Sequence, residues 1–265
     1  RVICNEPIVF FRAAKSGDYV ALEDRCPHRQ APLSMGRVVG DEIMCVYHGW
    51  MVASDGRCTH VPHQDIVSPN AAVRSYPTSE RWGLVWVWIG DPAQADEGTI
   101  PEMPWLVSDE HSTILSCFHA KANYQLMADN LLDVSHADFL HAGSFGSQAG
   151  QKGETDDVKQ RMDVTTQNDC VRSVRILENV ALGPMASAWG GFTKPITRTT
   201  RQRWEPPNTI NIELRMENDE NCITFNHDHV MTPETATTCH YFLGFTRDFN
   251  LESGYPTDED MRREQ

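Results

Sequence analysis

Two short patterns constrain this 265-residue chain more than any other stretch: Cys26-Pro27-His28 and, after sixteen intervening residues, Cys45-Val46-Tyr47-His48. Two thiolates and two imidazoles suit a two-iron cluster, with Cys26 and Cys45 on one iron and His28 and His48 on the other. A mononuclear zinc site is the competing reading, although zinc sites more often use Cys-x-x-Cys halves. Replacing two thiolates by neutral ligands raises the potential above that of an all-cysteine cluster, which makes a one-electron relay.

The flanking residues read as short strands. Residues 2–11 are expected to form one strand, with Tyr19–Glu23 as its hairpin partner across Lys15-Ser16-Gly17-Asp18. Pro27 fixes the first loop, Gly36 and Gly40 flank a return into the strand carrying Cys45, and Gly49 lets backbone amides approach the second loop closely. Hairpins are expected around Ser54-Asp55-Gly56 and around Ser79-Glu80. The Pro-, Asp- and Ala-rich stretch 91–104 is the best boundary, giving domains 1–104 and 105–265.

The second domain is expected to open with a strand near residues 113–120, followed by a helix from Tyr124 to about Leu140. That helix carries Asn130, Asp133, His136 and His141. A His-x4-His spacing turns through about 500° on an ideal helix, leaving the rings about 140° apart, so the two histidines meet only if the helix bends or ends between them. Asp133 lies three residues before His136, on the same helical face, where it can orient the imidazole or simply be a solvated charge. Two histidines and one carboxylate with open positions form the ligand set of oxygen-activating non-haem Fe(II), and an upstream one-electron relay needs such an acceptor.

Beyond it, residues 142–153 are Gly/Ser-rich and read as a surface loop or an active-site lid. Five β-branched or alternating patches between residues 171 and 246 read as strands, and helical signals return at residues 256–260, with Thr257 as N-cap. Strand alternation puts His227 and His229 on one face; as a metal pair they lack a third partner, and as pocket-lining groups they are more attractive. His229 and Asn211 are the candidates for substrate contact. His60 and His63 read as surface or interface residues.

Composition narrows the partners. A net charge of −14 with no dense Lys/Arg run argues against nucleic acid. No run of about eighteen apolar residues offers a membrane span. Six of the eight cysteines are scattered outside the metal pattern, which favours reduced thiols and a cytoplasmic setting. The chain opens on Arg1 rather than Met and is expected to have lost its natural start.

With C-P-H, C-V-Y-H-G-W and N-x-x-D-x-x-H-x4-H in this order, nearly the whole chain resembles the terminal oxygenase subunit of Rieske non-haem iron oxygenases. I-C-N-E-P-I-V-F-F-R, W-V-W-I-G-D-P-A-x-A-D and T-P-E-T-x-x-x-C-H-Y-F look like its vanillate and dicamba O-demethylase branch. Respiratory Rieske loops carry an extra cysteine pair where this chain has Ala31 and Tyr47, so no such bridge forms. The resemblance implies an α+β chain: a small antiparallel β Rieske domain, then a catalytic domain of helix-grip type, with a curved antiparallel sheet and helices.

It also implies a [2Fe-2S] cluster on Cys26, His28, Cys45 and His48, and Fe(II) on His136 and His141. Asp133 would bridge a cluster histidine to an iron histidine of the next subunit in a head-to-tail ring of three. Asn130 would lie close to the iron, and His229 would contact substrate. The family's third iron ligand, a late aspartate, is expected beyond Gln265. The implied activity is oxidative O-demethylation or hydroxylation of an aromatic acid by O2, with electrons from NAD(P)H through a reductase or ferredoxin. Ring dihydroxylation is the nearest alternative, and a non-enzymatic Rieske electron carrier is the alternative from another class.

Overall fold

The computed structural model describes residues 1–141, 158–181 and 183–252. It divides into two compact units, Arg1–Ile100 and Pro101–Gln265. The expected loop at 142–153 and the helical signals at 256–260 lie outside the described residues.

The first unit is built from ten short strands: β1 (Val2–Ile3), β2 (Glu6–Arg12), β3 (Tyr19–Glu23), β4 (Arg37–Val39), β5 (Glu42–Met44), β6 (Met51–Val52), β7 (Cys58–His60), β8 (Ser75–Tyr76), β9 (Thr78–Arg81) and β10 (Leu84–Val87). They form the sheets β1-β2-β3-β8, β4-β5-β6-β7 and β9-β10, antiparallel throughout. Val9, Phe11, Val20, Leu22, Leu33, Ile43 and Val52 make a core that also contains Cys26 and Cys45.

Three local expectations change here. Residues 2–11 do not form one strand. Cys4 and Asn5 take φ of 51° and 64°, making a two-residue turn that pairs Ile3 with Glu6. The last hairpin turns at Trp82-Gly83, with φ of 60° and 74°, so Ser79 and Glu80 lie within β9. Positive φ at both positions is the type I′ form of a two-residue hairpin loop, which Gly83 adopts freely and Trp82 adopts with the Arg81 guanidinium over its ring. Cys45, expected on a strand, instead opens the loop that follows β5.

The second unit is one seven-stranded antiparallel sheet with a few short helices. Its elements are β11 (Ser112–Ala120), α1 (Tyr124–Leu132), α2 (Ala137–Leu140), β12 (Lys159–Gln167), β13 (Cys170–Val180), α3 (Pro184–Gly190), β14 (Ile196–Glu205), β15 (Thr209–Glu217), β16 (Cys222–Pro233) and β17 (Cys239–Arg247). Strands β12 to β17 run as a meander, and β11 closes the order beside β17. The sequence reading missed α3, although Pro184 in its first turn and Gly191 just past its end, at φ 64°, are start and stop signals.

Asn123 caps α1, accepting from the Gln125 amide, while its own amide group donates to the Ala236 carbonyl. The helix packs Ala128 against Ile210 and Met231 of the sheet. On the other sheet face, Asp228 is 2% exposed and accepts from Trp105 Nε1 at 2.7 Å and Asn211 Nδ2 at 2.9 Å. Burial lifts its carboxyl to about 6, against the opposing pull of Trp105, Asn211 and Arg203.

A carboxyl whose folded pKa lies above its ordinary 3.8 stabilises the fold most at low pH and loses that contribution as pH rises through about 6. Asp228→Asn should therefore gain stability relative to wild type between pH 4 and pH 7, by up to about 3 kcal/mol. Urea titrations of both proteins across that range check this. A pH-independent difference would show that the carboxyl does not titrate there.

Candidate active site and cluster loops

The two Cys/His loops share one backbone device. The Cys26 amide donates to the Ala31 carbonyl and Gln30 donates back to Cys26; the Cys45 amide donates to Trp50 and Gly49 donates back to Cys45. In each loop the residue four after the cysteine is left-handed, Gln30 at 58° and Gly49 at 69°. This repeat is invisible in sequence, because Gln30 and Gly49 share no side-chain signal.

The loops bring the four ligand candidates together in pairs. Cys26 and Cys45 are buried, reduced and in side-chain contact. Burial pushes the Cys26 thiol up to about 11, with the amides of His28 and Arg29 pulling the other way. Those two amides are already directed at the sulfur, as a thiolate bound to metal requires. The His28 and His48 rings are exposed, with centroids 4.6 Å apart, and Trp50 stacks on His28 at 4.7 Å with the planes 2° apart. Buried thiols with surface imidazoles would suit a two-iron cluster held by Cys26, Cys45, His28 and His48.

In the second unit, α1 ends at Leu132. Asp133, at φ −86° and ψ 91°, leaves helical geometry; Val134–His136 form a 3-10 turn, and α2 ends just before His141. The expected helix over 124–140 is thus broken, and the break satisfies the condition for convergence: the His136 and His141 rings are 5.4 Å apart. Asp133 does not share a helical face with His136. It caps the following turn, accepting from the Ser135 amide at 2.9 Å and hydroxyl at 2.6 Å. Ser135 holds its carboxyl below the usual range, with His136 and Arg175 adding to the effect.

Both histidines border a cavity of about 310 Å³. Ile212, Leu214, Leu243, Phe225 and Phe245 make its apolar floor, and the Phe225 and Phe245 rings stack at 5.6 Å. Asn130 lies on the helix side, and Arg175, Arg198, His227, His229 and Tyr241 supply the polar wall. His229 Nδ1 bonds the Tyr241 hydroxyl at 2.5 Å, while its buried Nε2 has no hydrogen-bond partner among the described residues. Burial pushes both His227, to about 3, and His229 down, so each imidazole is neutral.

Among the described residues, no three His, Cys, Asp or Glu groups come together as a single-ion site. His136 and His141, with rings 5.4 Å apart, are the two groups that would hold an iron here, and further ligands would have to complete the site. Asp138 between them is not a third, because its oxygens are taken by Arg175 and Arg198. Residues 1–77 match the Rieske [2Fe-2S] domain, and residues 120–265 match the vanillate O-demethylase oxygenase C-terminal domain. The chain is 33% identical to the dicamba O-demethylase oxygenase component of Stenotrophomonas maltophilia, over 95% of this chain and 74% of the relative.

The chain belongs to the Rieske non-haem iron oxygenases, in the vanillate and dicamba O-demethylase branch. Other members are similar at the same level: the vanillate O-demethylase oxygenase subunit of Pseudomonas sp. is 33% identical over 95% of this chain and 78% of its own length. The toluene-4-sulfonate monooxygenase system iron-sulfur subunit of Comamonas testosteroni is 32% identical over 98% and 76%. A crystal structure of dicamba monooxygenase bound to dicamba superposes with a TM-score of 0.86 at 29% identity, over 98% of this chain and 75% of that one.

Among the residues proposed for this Rieske oxygenase's site, Asn211 is displaced from its expected place. Its side chain is bonded to Asp228 on the opposite sheet face, because strand alternation gives the cavity Ile212 and Leu214 instead. Sequence reasoning missed Arg175, Arg198 and Tyr241. The strands of Arg175 and Arg198 carry polar residues on both faces, so no signal marks which face is inward, whereas Tyr241 shares a face with Leu243 and Phe245, an apolar alternation that could have found it. Tyr241→Phe should strip the partner from a buried His229 Nδ1 and cost about 1–3 kcal/mol of stability in urea unfolding. An unchanged midpoint would mean that the imidazole does not depend on this bond.

Proposed function

We propose that this chain is the oxygenase component of a multicomponent system that oxidatively O-demethylates, or hydroxylates, a small substituted aromatic acid. The observation that carries the reading is a cavity with an aromatic floor, a polar wall and the His136–His141 pair on its border. Relatives named for dicamba, vanillate and toluene-4-sulfonate support the substrate class, since each name denotes an anionic aromatic molecule.

Cys26, His28, Cys45 and His48 would hold the [2Fe-2S] cluster, and His136 and His141 two of the positions on Fe(II). When bound, these groups supply single electrons and dioxygen activation. The chain's own residues do the rest. Phe225 and Phe245 offer stacked faces to an aromatic ring, and Leu243 and Ile212 keep water from it. His229 Nε2 offers a buried, neutral hydrogen-bonding atom to the substrate's polar group, with Asn130 on the helix side.

A methyl aryl ether, O2, two electrons and two protons give the phenol, formaldehyde and water. The electrons come from NAD(P)H through a reductase or ferredoxin. Asp133, exposed beside His136, is the group we assign to the electron path in a head-to-tail ring of three. Among the described residues no helix is long and apolar enough to cross a membrane. The scattered cysteines outside the cluster loops are the reason we assign the protein to the cytoplasm.

The protein, NADH, a matched reductase and a panel of methoxylated and unmethoxylated aromatic acids should yield formaldehyde in proportion to oxygen consumed. A hydroxylated ring without formaldehyde would favour ring oxidation, and no substrate-dependent oxygen uptake would leave an electron carrier. Asp133→Asn retains a good helix cap, so it should keep both the fold and the cluster spectrum while turnover collapses by 10-fold or more, on the order seen for groups that support metal ligands. Unchanged turnover removes Asp133 from the electron path.

A further inference from the structure

The segment carrying His136 and His141 consists of three 3-10 residues and a four-residue α2. Helical turns this short do not persist by themselves, because nucleation costs more than so few hydrogen bonds return. Something outside the segment must hold it. Arg175 of β13 donates from Nη1 to the Val134 carbonyl at 3.1 Å and from Nη2 to Asp138 Oδ2 at 3.1 Å. Arg198 of β14 donates to Asp138 Oδ1 at 2.6 Å. Side-chain exposures of 11% for Arg175, 5% for Arg198 and 15% for Asp138 put this triad largely out of water.

Val134 lies two residues before His136, and Asp138 lies two after it and three before His141. The backbone is thus gripped on both sides of the first histidine, by adjacent strands that also wall the cavity. We infer that Asp138 is a positioning residue: through Arg175 and Arg198 it latches the histidine turn to the sheet, setting the spacing of the two imidazoles for the metal. This inference rests on the reading of His136 and His141 as iron ligands.

A carboxylate shared by two guanidinium groups is more directional than one ion pair, because each planar fork fixes its own oxygen. Removing the shared charge leaves two arginines facing each other across a largely buried gap, and they separate. The turn then loses its anchor while the cluster loops, in the other compact unit, keep theirs.

The test uses the full-length holoprotein with Asp138→Asn and Asp138→Glu, reading Fe(II) affinity at the second iron site by titration of iron-depleted protein that retains its cluster. Nitric oxide serves as the spectroscopic probe of the bound ferrous ion. Asp138→Asn should keep the cluster absorbance, lose Fe(II) affinity by about 10- to 100-fold, and weaken the nitric oxide signal; Asp138→Glu should recover most of both. Fe(II) should also raise the melting temperature of Asp138→Asn less than that of wild type, whereas a purely structural role would lower both melts and leave the increment unchanged.

Affinity within about threefold of wild type, or an unchanged increment, overturns the latch. Should Asp138→Asn not fold, Arg175→Lys carries the same readouts, since lysine keeps the charge but cannot grip Val134 and Asp138 together; there too, wild-type affinity overturns it. If wild type and His136→Ala take up Fe(II) equally, the assignment of the iron site fails, and the latch with it.

Discussion

Side-chain parity on the seven-stranded sheet is the constraint from which the rest of the catalytic unit follows. The register pairs Ser173 with Gln202, Arg175 with Thr200 and Leu177 with Arg198. These positions face the same side as the floor residues of β15, β16 and β17. A slip of one residue on any strand would turn its entire contribution to the other face. The inward face of β13 and β14 is polar because it does work that apolar groups cannot: Gln202 donates to the Leu131 carbonyl at 2.7 Å and Arg175 reaches the Val134 carbonyl. The Leu131 carbonyl belongs to a helix end, where intrahelical partners run out, and the sheet supplies its donor in place of water; the Val134 carbonyl already accepts the Ala137 amide and takes Arg175 as a second donor.

That satisfaction is what lets the helix break where it does. At Asp133 the chain leaves α1, recaps itself through Ser135, and begins a second short turn. Continuing the helix would keep His136 and His141 on diverging sides; ending α2 at Leu140 lets His141 swing back to within 5.4 Å of its partner. The same aspartate is both the break and the exposed charge beside His136. Its sequence position therefore answers two demands at once.

The spacing of cysteines and histidines was legible in the sequence because ligand chemistry restricts residue type, and the two loops bring those four side chains into two adjacent pairs. Strand patches from 171 onward were legible because β-branched residues recur in them. Turns were less so. Cys4-Asn5 and Trp82-Gly83 place non-glycine residues at positive φ, which tertiary context tolerates and local propensity does not announce. Asn211 went to the wrong face for a related reason: period-two alternation tells which residues share a face but not which face is inward. Arg175 and Arg198 look like solvated charge for the same reason, and only the register with neighbouring strands reveals them as buried.

Charge explains why those arginines matter in so acidic a chain. At a net charge of −14 the long-range field does not attract an anionic aromatic, but at physiological salt that field is screened beyond about 8 Å. The potential inside the cavity is then decided by the groups that line it. His227 and His229 on its wall are neutral, and among the described residues of the lining Arg175 and Arg198 are the two that carry a permanent positive charge. Their attachment to Asp138 tempers that charge and fixes its position. The carboxylate that steadies the histidine turn therefore also sets how much positive potential the cavity wall carries.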